Sequence, residues 1–185
     1  RHDPGASGRG HWRQDRDECP AGGMTGRGVH VVDAIVYLAG RIGSVNAQSL
    51  RLVQDFGMDD TTSMLFRFDC GATGYLGTVI ATAETWRMQV FGSKGWAEVG
   101  DVEHLATWQI KVCYVDPAKA DRRQPELLSF PDISTERAEL EHFARAAMAG
   151  RPLAVAVGDE VHGAAVLEAI VKSCRDESAV RVGTD

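Results

Sequence analysis

The sequence has no Cys-x-x-Cys pair, and its four cysteines, Cys19, Cys70, Cys113 and Cys174, are scattered. That spacing argues against a zinc site and against a disulfide framework, and leaves reduced, intracellular thiols as the expectation. Basic runs are missing too: nothing exceeds a pair such as Arg122-Arg123, and the net charge is -6. A phosphate-neutralising surface for nucleic acid is therefore not expected, although a small anion needs only a local cation. The most apolar stretches, Val29–Ala39 and Gly163–Val171, are too short to span a bilayer and carry His30, Asp33 and Glu168. No membrane association follows from them. The chain opens at Arg1 with no basic-then-apolar leader, so no signal peptide is visible; either the chain was trimmed or its natural N-terminus lies upstream. A cytoplasmic location is the expectation.

Catalytic signatures are equally sparse. No Walker loop, HExxH or GxSxG occurs, and Gly23, Gly26 and Gly28 read GxxGxG with no strand ahead of them, which is not a dinucleotide fingerprint. Histidines form no ligand cluster. His142 and His162 fall on helices among Glu residues and are expected to be solvated, His104 begins a strand, and His2 and His11 lie near the N-terminus.

What remains is an ordinary globular composition, 44% hydrophobic and 25% charged over 185 residues. It suits one domain, or one domain and an arm, with a sizeable core. Residues 1–20 are polar and rich in Gly, Asp and Arg, an arm that cannot form its own core. Trp12 within it either docks onto the body or packs locally at the surface, and Arg13 beside it can meet a carboxylate or a ring.

Residues 21–185 carry the periodic signals. AGGMTGRGVHVVDAIVYLAG, from Ala21 to Gly40, is a glycine-rich turn running into an apolar helix, with His30 in the first turn and Asp33 one turn on. Residues three apart share a helix face, so these two look into the same space. Glycines ahead of them remove side chains that would keep a ligand from the backbone, or simply make a turn.

The hydrophobic period then switches to alternation. Strands are expected from Val45 to Ser49 with Leu52–Gln54, over Met64–Phe68, Thr73–Thr82 and Thr85–Phe91, across a hairpin at Gly92–Gly95 to Trp96–Val99, along His104–Val115, and over Glu126–Phe130. Short turns between them predict an antiparallel meander in one large sheet. Two helices follow, one capped by Ser134 with Leu140, Phe143, Ala144, Ala147 and Met148 in phase, the other opened by Asp159 with Ala165, Val166, Ala169 and Ile170 as its packing stripe. Ala179–Val182 is a short last strand. The fold class is α+β: a large open-faced, mostly antiparallel sheet with helices on one face, its other face free for a partner subunit.

Trp12-Arg13, the Gly22-Gly23 turn, Gly28-Val29-His30-Val31-Val32-Asp33, Tyr37-Leu38 and Gly40 together resemble the C-terminal domain of the glucose-fructose oxidoreductase / inositol dehydrogenase / MocA (Gfo/Idh/MocA) family. Phe91-Gly92-Ser93-Lys94-Gly95 resembles that family's hairpin, and Glu168-Ala169-Ile170 with Ser173 its closing helix. The resemblance implies a substrate-binding and oligomerisation domain whose N-terminal Rossmann partner, absent from this chain, binds NAD or NADP and supplies a catalytic Lys from an E-K-P motif. It implies that His30 moves the proton of a substrate hydroxyl and that Asp33 orients the ring or binds a sugar hydroxyl, with Trp12, Arg13 and Arg27 as further substrate-binding positions. Sugars, polyols or related secondary alcohols are the implied substrates, and a homo-oligomer through the sheet face the implied assembly. Imidazole suits the proton-transfer role because it titrates near neutrality. One departure favours a different reading. Many members carry Asp four residues before the His, where this chain has Gly26, and a non-catalytic binding or scaffold module of the same fold is the alternative.

Overall fold

The computed structural model describes residues 12, 15–55, 57–102, 104–115, 124–151 and 159–183. The fold is α+β with antiparallel strands throughout, as the alternation predicts. The strands, expected in one large sheet, are hydrogen-bonded among the described residues as two sheets of four. They fall into two compact units, Arg1–Thr82 with Val155–Asp185, and Ala83–Ala154.

The first unit holds helix α1 (Val29–Ala39), strands β1 (Ile42–Leu50), β2 (Thr61–Phe68) and β3 (Thr73–Val79), helix α3 (Asp159–Asp176) and the two-residue β8 (Val180–Arg181). Along β2 the alternation is strict: Thr62, Met64, Phe66 and Phe68 are buried, while Leu65 and Arg67 face out. A period of two places one set of side chains on each face, so the inner set forms a core with Val45 and Ala47 of β1 and Leu76 of β3. Val32 and Val36 of α1 and Val166, Ala169 and Ile170 of α3 close over it. Each large apolar side chain so buried contributes about 1.5–3 kcal/mol.

Helix α3 also fastens β1 with two polar residues. His162, expected to be solvated, is only 3% exposed, and its Nε2 accepts a hydrogen bond from the Ile42 backbone N–H at 3.0 Å. Position 162 lies four residues before Val166, so it shares the buried stripe and not the Glu-bearing face. Ser173, also buried, accepts from the Ala47 N–H at 2.9 Å and donates to the Ser178 carbonyl. Strand β8 pairs with β1 at Ser44 and Val45, the Val182 N–H donates to the Gly43 carbonyl at 3.0 Å, and the Ser173 hydroxyl takes over at Ala47.

In the second unit, β4 (Met88–Gly92) and β5 (Gly95–Val99) form the expected hairpin around Ser93-Lys94, followed by β6 (Gln109–Tyr114), β7 (Glu126–Ser129) and helix α2 (Thr135–Met148). Register places Met88, Val99, Ile110 and Leu128 in one row and Val90, Ala97, Val112 and Glu126 in the next, a face apolar except for Glu126. Opposite it, Gln89, Glu98 and Lys111 align, with Lys111 Nζ 3.3 Å from Glu98 Oε1. Burial raises the Glu98 carboxyl, but the hydrogen bonds from Lys111 and Gln89 outweigh it and hold the group below its ordinary value. The strand expected over His104–Val115 is shorter than the pattern implies. His104–Thr107 is a 3-10 turn, and Trp108 adopts φ 48°, a left-handed conformation that no strand can include.

Helix α2 starts as expected, with the Ser134 hydroxyl accepting from the Arg137 N–H at 3.2 Å, and Gly150 stops it at φ 60°. Its apolar stripe does not pack: Leu140, Phe143 and Met148 are all more than half exposed.

Candidate functional site

Helix α1 is launched from an unusual turn. Ala21 and Gly22 are both left-handed, at φ 57° and 54°. Met24–Gly28 then forms a π-helical turn, closed by the Val29 N–H donating to the Met24 carbonyl. Left-handed backbone costs a residue with a Cβ about 1–2 kcal/mol, so Ala21 must be held there by its surroundings. Side chains do so. The carbonyl of Pro20 accepts from the Thr25 hydroxyl, that of Ala21 from the Thr62 hydroxyl at 2.9 Å, and that of Gly22 from the Cys19 thiol at 3.4 Å. π-turns within helices occur frequently at functional sites.

The glycines of this turn serve packing. A Cβ on Gly22 would lie 2.0 Å from the Asp59 carbonyl oxygen, one on Gly23 2.7 Å from Ile80 Cγ2, and one on Gly28 2.5 Å from Met24 Sδ. The space expected to admit a ligand at these three positions is therefore filled by protein atoms. The turn accordingly offers no cradle of the kind that binds a nucleotide pyrophosphate, and the residues of this chain do not fit a nicotinamide cofactor site here.

What the turn does is orient the helix. Val32 and Val36 point into the core, which leaves His30, Asp33 and Tyr37 on the exposed side. His30 and Asp33 thus share one open face, and neither side chain makes a hydrogen bond or ion pair with another described residue. Tyr37, one turn beyond Asp33 and 87% exposed, extends this face, and its spacing of seven from His30 is the signal that would have found it. Arg27 is exposed at the end of the π-turn. Trp12 is 47% exposed, with its carbonyl accepting from the Asp15 N–H at 3.1 Å, and Arg13 lies outside the described residues.

Behind the turn sits an acidic pair that the sequence presents as a plain turn. The Asp59 carboxylate is buried and receives Arg16, whose Nη2 lies 2.9 Å from Oδ1 and 3.0 Å from Oδ2. Asp60, 0% exposed, accepts from the backbone N–H groups of Leu52, Val53 and Gln54 at 2.8–3.1 Å and from the Thr61 hydroxyl at 2.9 Å. Burial raises its carboxyl, but these donors more than offset that and bring it down to about 2. Leu52–Gln54, expected to extend a strand, is consequently a loop wrapped around this carboxylate. Burial, and then the charge of Asp59, push the Cys174 thiol up.

A depression of about 520 Å³ lies on the outer face of the first sheet, where Ser44, Asn46, Leu65, Arg67, Thr73 and Tyr75 line it. Leu65 and Tyr75 are cross-strand partners there, each at least 60% exposed. None of His30, Asp33, Arg27 or Trp12 lines it. Among the described residues no group of three or more His, Cys, Asp and Glu side chains is placed to hold a metal ion, and no helix is long and apolar enough to cross a membrane.

Comparison with known proteins gives this geometry a context. Residues 1–98 match the model of the GFO/IDH/MocA C-terminal domain. Levoglucosan dehydrogenase in complex with NADH superposes with a TM-score of 0.79 at 21% identity, over 95% of this chain and 54% of that one. An NAD binding oxidoreductase from Klebsiella pneumoniae gives 0.78 at 19% identity, over 95% and 54%. The aldose-aldose oxidoreductase from Caulobacter crescentus complexed with glycerol gives 0.73 at 24% identity, over 93% and 51%. The likeness to these structures is one of fold, and this chain spans about half the length of each. No curated protein matches it in sequence.

Proposed function

Because the chain belongs to the GFO/IDH/MocA C-terminal domain family, we propose that it is the substrate-binding and oligomerisation half of an NAD- or NADP-dependent oxidoreductase acting on a sugar, polyol or related secondary alcohol. The nucleotide belongs to an N-terminal Rossmann domain outside this chain and supplies the hydride acceptor or donor when bound. Residues 21–185 supply the substrate side. His30 takes the proton from the substrate hydroxyl at its imidazole or returns it, and Asp33 orients the ring or accepts from a neighbouring hydroxyl. Trp12, Arg13 and Arg27 are the further substrate-binding positions. The outer face of the first sheet, with Leu65 and Tyr75 exposed, serves a homo-oligomer, and the protein works in the cytoplasm.

The observation that carries this reading is the exposure of His30 and Asp33 on one helix face, without partners among the described residues. A buried His30 tied to the backbone would have spoken for a structural role. Solved neighbours of the same fold bear sugar ligands, levoglucosan in one and L-sorbose in another, and that supports the substrate class.

The second reading is a binding module without catalysis, and Gly26 in the place of a family Asp favours it. One experiment separates the two. The intact protein is screened against sugars and polyols with NAD and with NADP, and His30→Gln is compared with the parent. Proton transfer by a positioned side chain is worth about 10²–10⁴-fold, so His30→Gln loses that much in kcat. Turnover unchanged by His30→Gln refutes the assignment of His30; ligand binding with no turnover in the parent selects the binding module.

A further inference from the structure

We infer that Thr62 is a positioning residue for His30. The inference rests on the reading of His30 given above, but its geometry stands apart from it. Thr62 lies on β2 with 0% exposure, on the inner face where its neighbours in phase are Met64 and Phe66. A hydroxyl placed there must find hydrogen-bond partners, and it has two. Its Oγ1 donates to the Ala21 carbonyl at 2.9 Å, and Ser49 Oγ on β1 lies 2.9 Å away on the other side. With the Thr62 proton committed to Ala21, Ser49 is the donor to Thr62, which makes a relay of two hydroxyls running from the sheet to one backbone oxygen.

That oxygen is not an arbitrary one. Ala21 is the left-handed residue whose conformation the chain would otherwise leave, and Gly22 behind it fits only against the Asp59 carbonyl. The Ala21 carbonyl also accepts the Met24 N–H at 3.1 Å, the first bond into the π-turn. Thr62 therefore joins the buried face of β2 to the strained residue from which the His30 helix departs. A Val side chain has the same shape and no donor. It leaves the core filled and frees the turn.

The test uses the 185-residue chain with Thr62→Val and Thr62→Ser, read by amide hydrogen exchange and by the imidazole C–H resonances of His30. In Thr62→Val, the Met24–His30 amides exchange at least tenfold faster and the His30 resonances move, while the amides within β1 and β2 keep their rates. Thr62→Ser restores both readouts to within about threefold of the parent rates and to the parent shifts. Thr62→Cys, close in size and a far weaker donor, carries the same expectation as Thr62→Val should that variant not fold. Parent-like exchange over Met24–His30 in the donor-free variants overturns the inference. So does equal loosening of β1 and β2, or failure of Thr62→Ser to restore. None of these outcomes depends on turnover, so they are distinguishable from failure of His30→Gln in the intact protein.

Discussion

Replacing Asp60 by Asn tests whether a buried carboxylate, and not the local sequence, holds the loop after β1. The Asp60 oxygens accept three backbone N–H groups and one hydroxyl in a position with no solvent exposure. An Asn side chain offers one oxygen, and its amide turns two donors toward the donors of Leu52–Gln54. One or two N–H groups then lose their acceptor at about 1–3 kcal/mol each, and the expected cost is about 1–6 kcal/mol. At about 2–4 °C per kcal/mol for a chain of this size, the melting temperature at pH 7 falls by about 2–24 °C. The pH dependence carries the sharper signature. The Asp60 carboxyl is held down at about 2 in the folded chain against 3.8 ordinarily. Its ionised form therefore stabilises the fold fully above the unfolded value, and that stabilisation is lost as pH falls through the interval between the two. Thermal melts of parent and Asp60→Asn, taken from pH 7 down to pH 2, should converge across that interval. Equal melting temperatures at pH 7, or a gap that stays constant down to pH 2, would refute the reasoning.

Two other substitutions probe the attachment of α3. His162→Phe keeps the buried volume but removes the acceptor of the Ile42 N–H, and it should cost about 1–3 kcal/mol in urea unfolding, with His162→Gln recovering part of the loss; unchanged stability in His162→Phe would show that this bond contributes nothing. Glu177 sits at φ 48° directly after α3, with the Ser178 N–H donating back to the Ser173 carbonyl at 3.4 Å, a helix end that usually carries glycine. Glu177→Gly should raise stability by about 0.5–1 kcal/mol, because the relief of left-handed strain exceeds the entropy glycine adds to the unfolded chain; a lower urea midpoint would contradict this.

Much of the fold was legible where one periodicity spoke alone. Strand β2 alternates without a break, the Gly92–Gly95 hairpin carries its own turn chemistry, and α3 shows its stripe at Val166, Ala169 and Ile170. His162 falls in that same stripe, but the Glu residues near it in sequence suggested solvent. Phase along the helix, and not the character of sequence neighbours, decides burial. Trp108 was illegible because the alternation of Ile110, Val112 and Tyr114 extends through it, and only its backbone angle breaks the strand. The division into two sheets was hidden for a different reason: strand patterns do not name their hydrogen-bonding partners. At the candidate site, the shared face of His30 and Asp33 follows from a spacing of three. Thr62 was silent, since a threonine in a strand reads as a β-branched residue whether or not its hydroxyl has a task. Asp60 was silent too, because a carboxylate in a turn looks solvated.

The π-turn ahead of α1 bears on how this segment can change over generations. Its Met24–Gly28 span holds one residue more than an α-turn would need. Each residue in a helix rotates the chain by about 100°, so deleting one here would carry His30 and Asp33 toward the core and swing Val32 and Val36 out of it. Codon loss or gain within this stretch is therefore far more damaging than amino-acid exchange at an exposed position such as Arg27. An alignment of relatives should show substitutions at exposed positions such as Arg27, and no gaps between Met24 and His30.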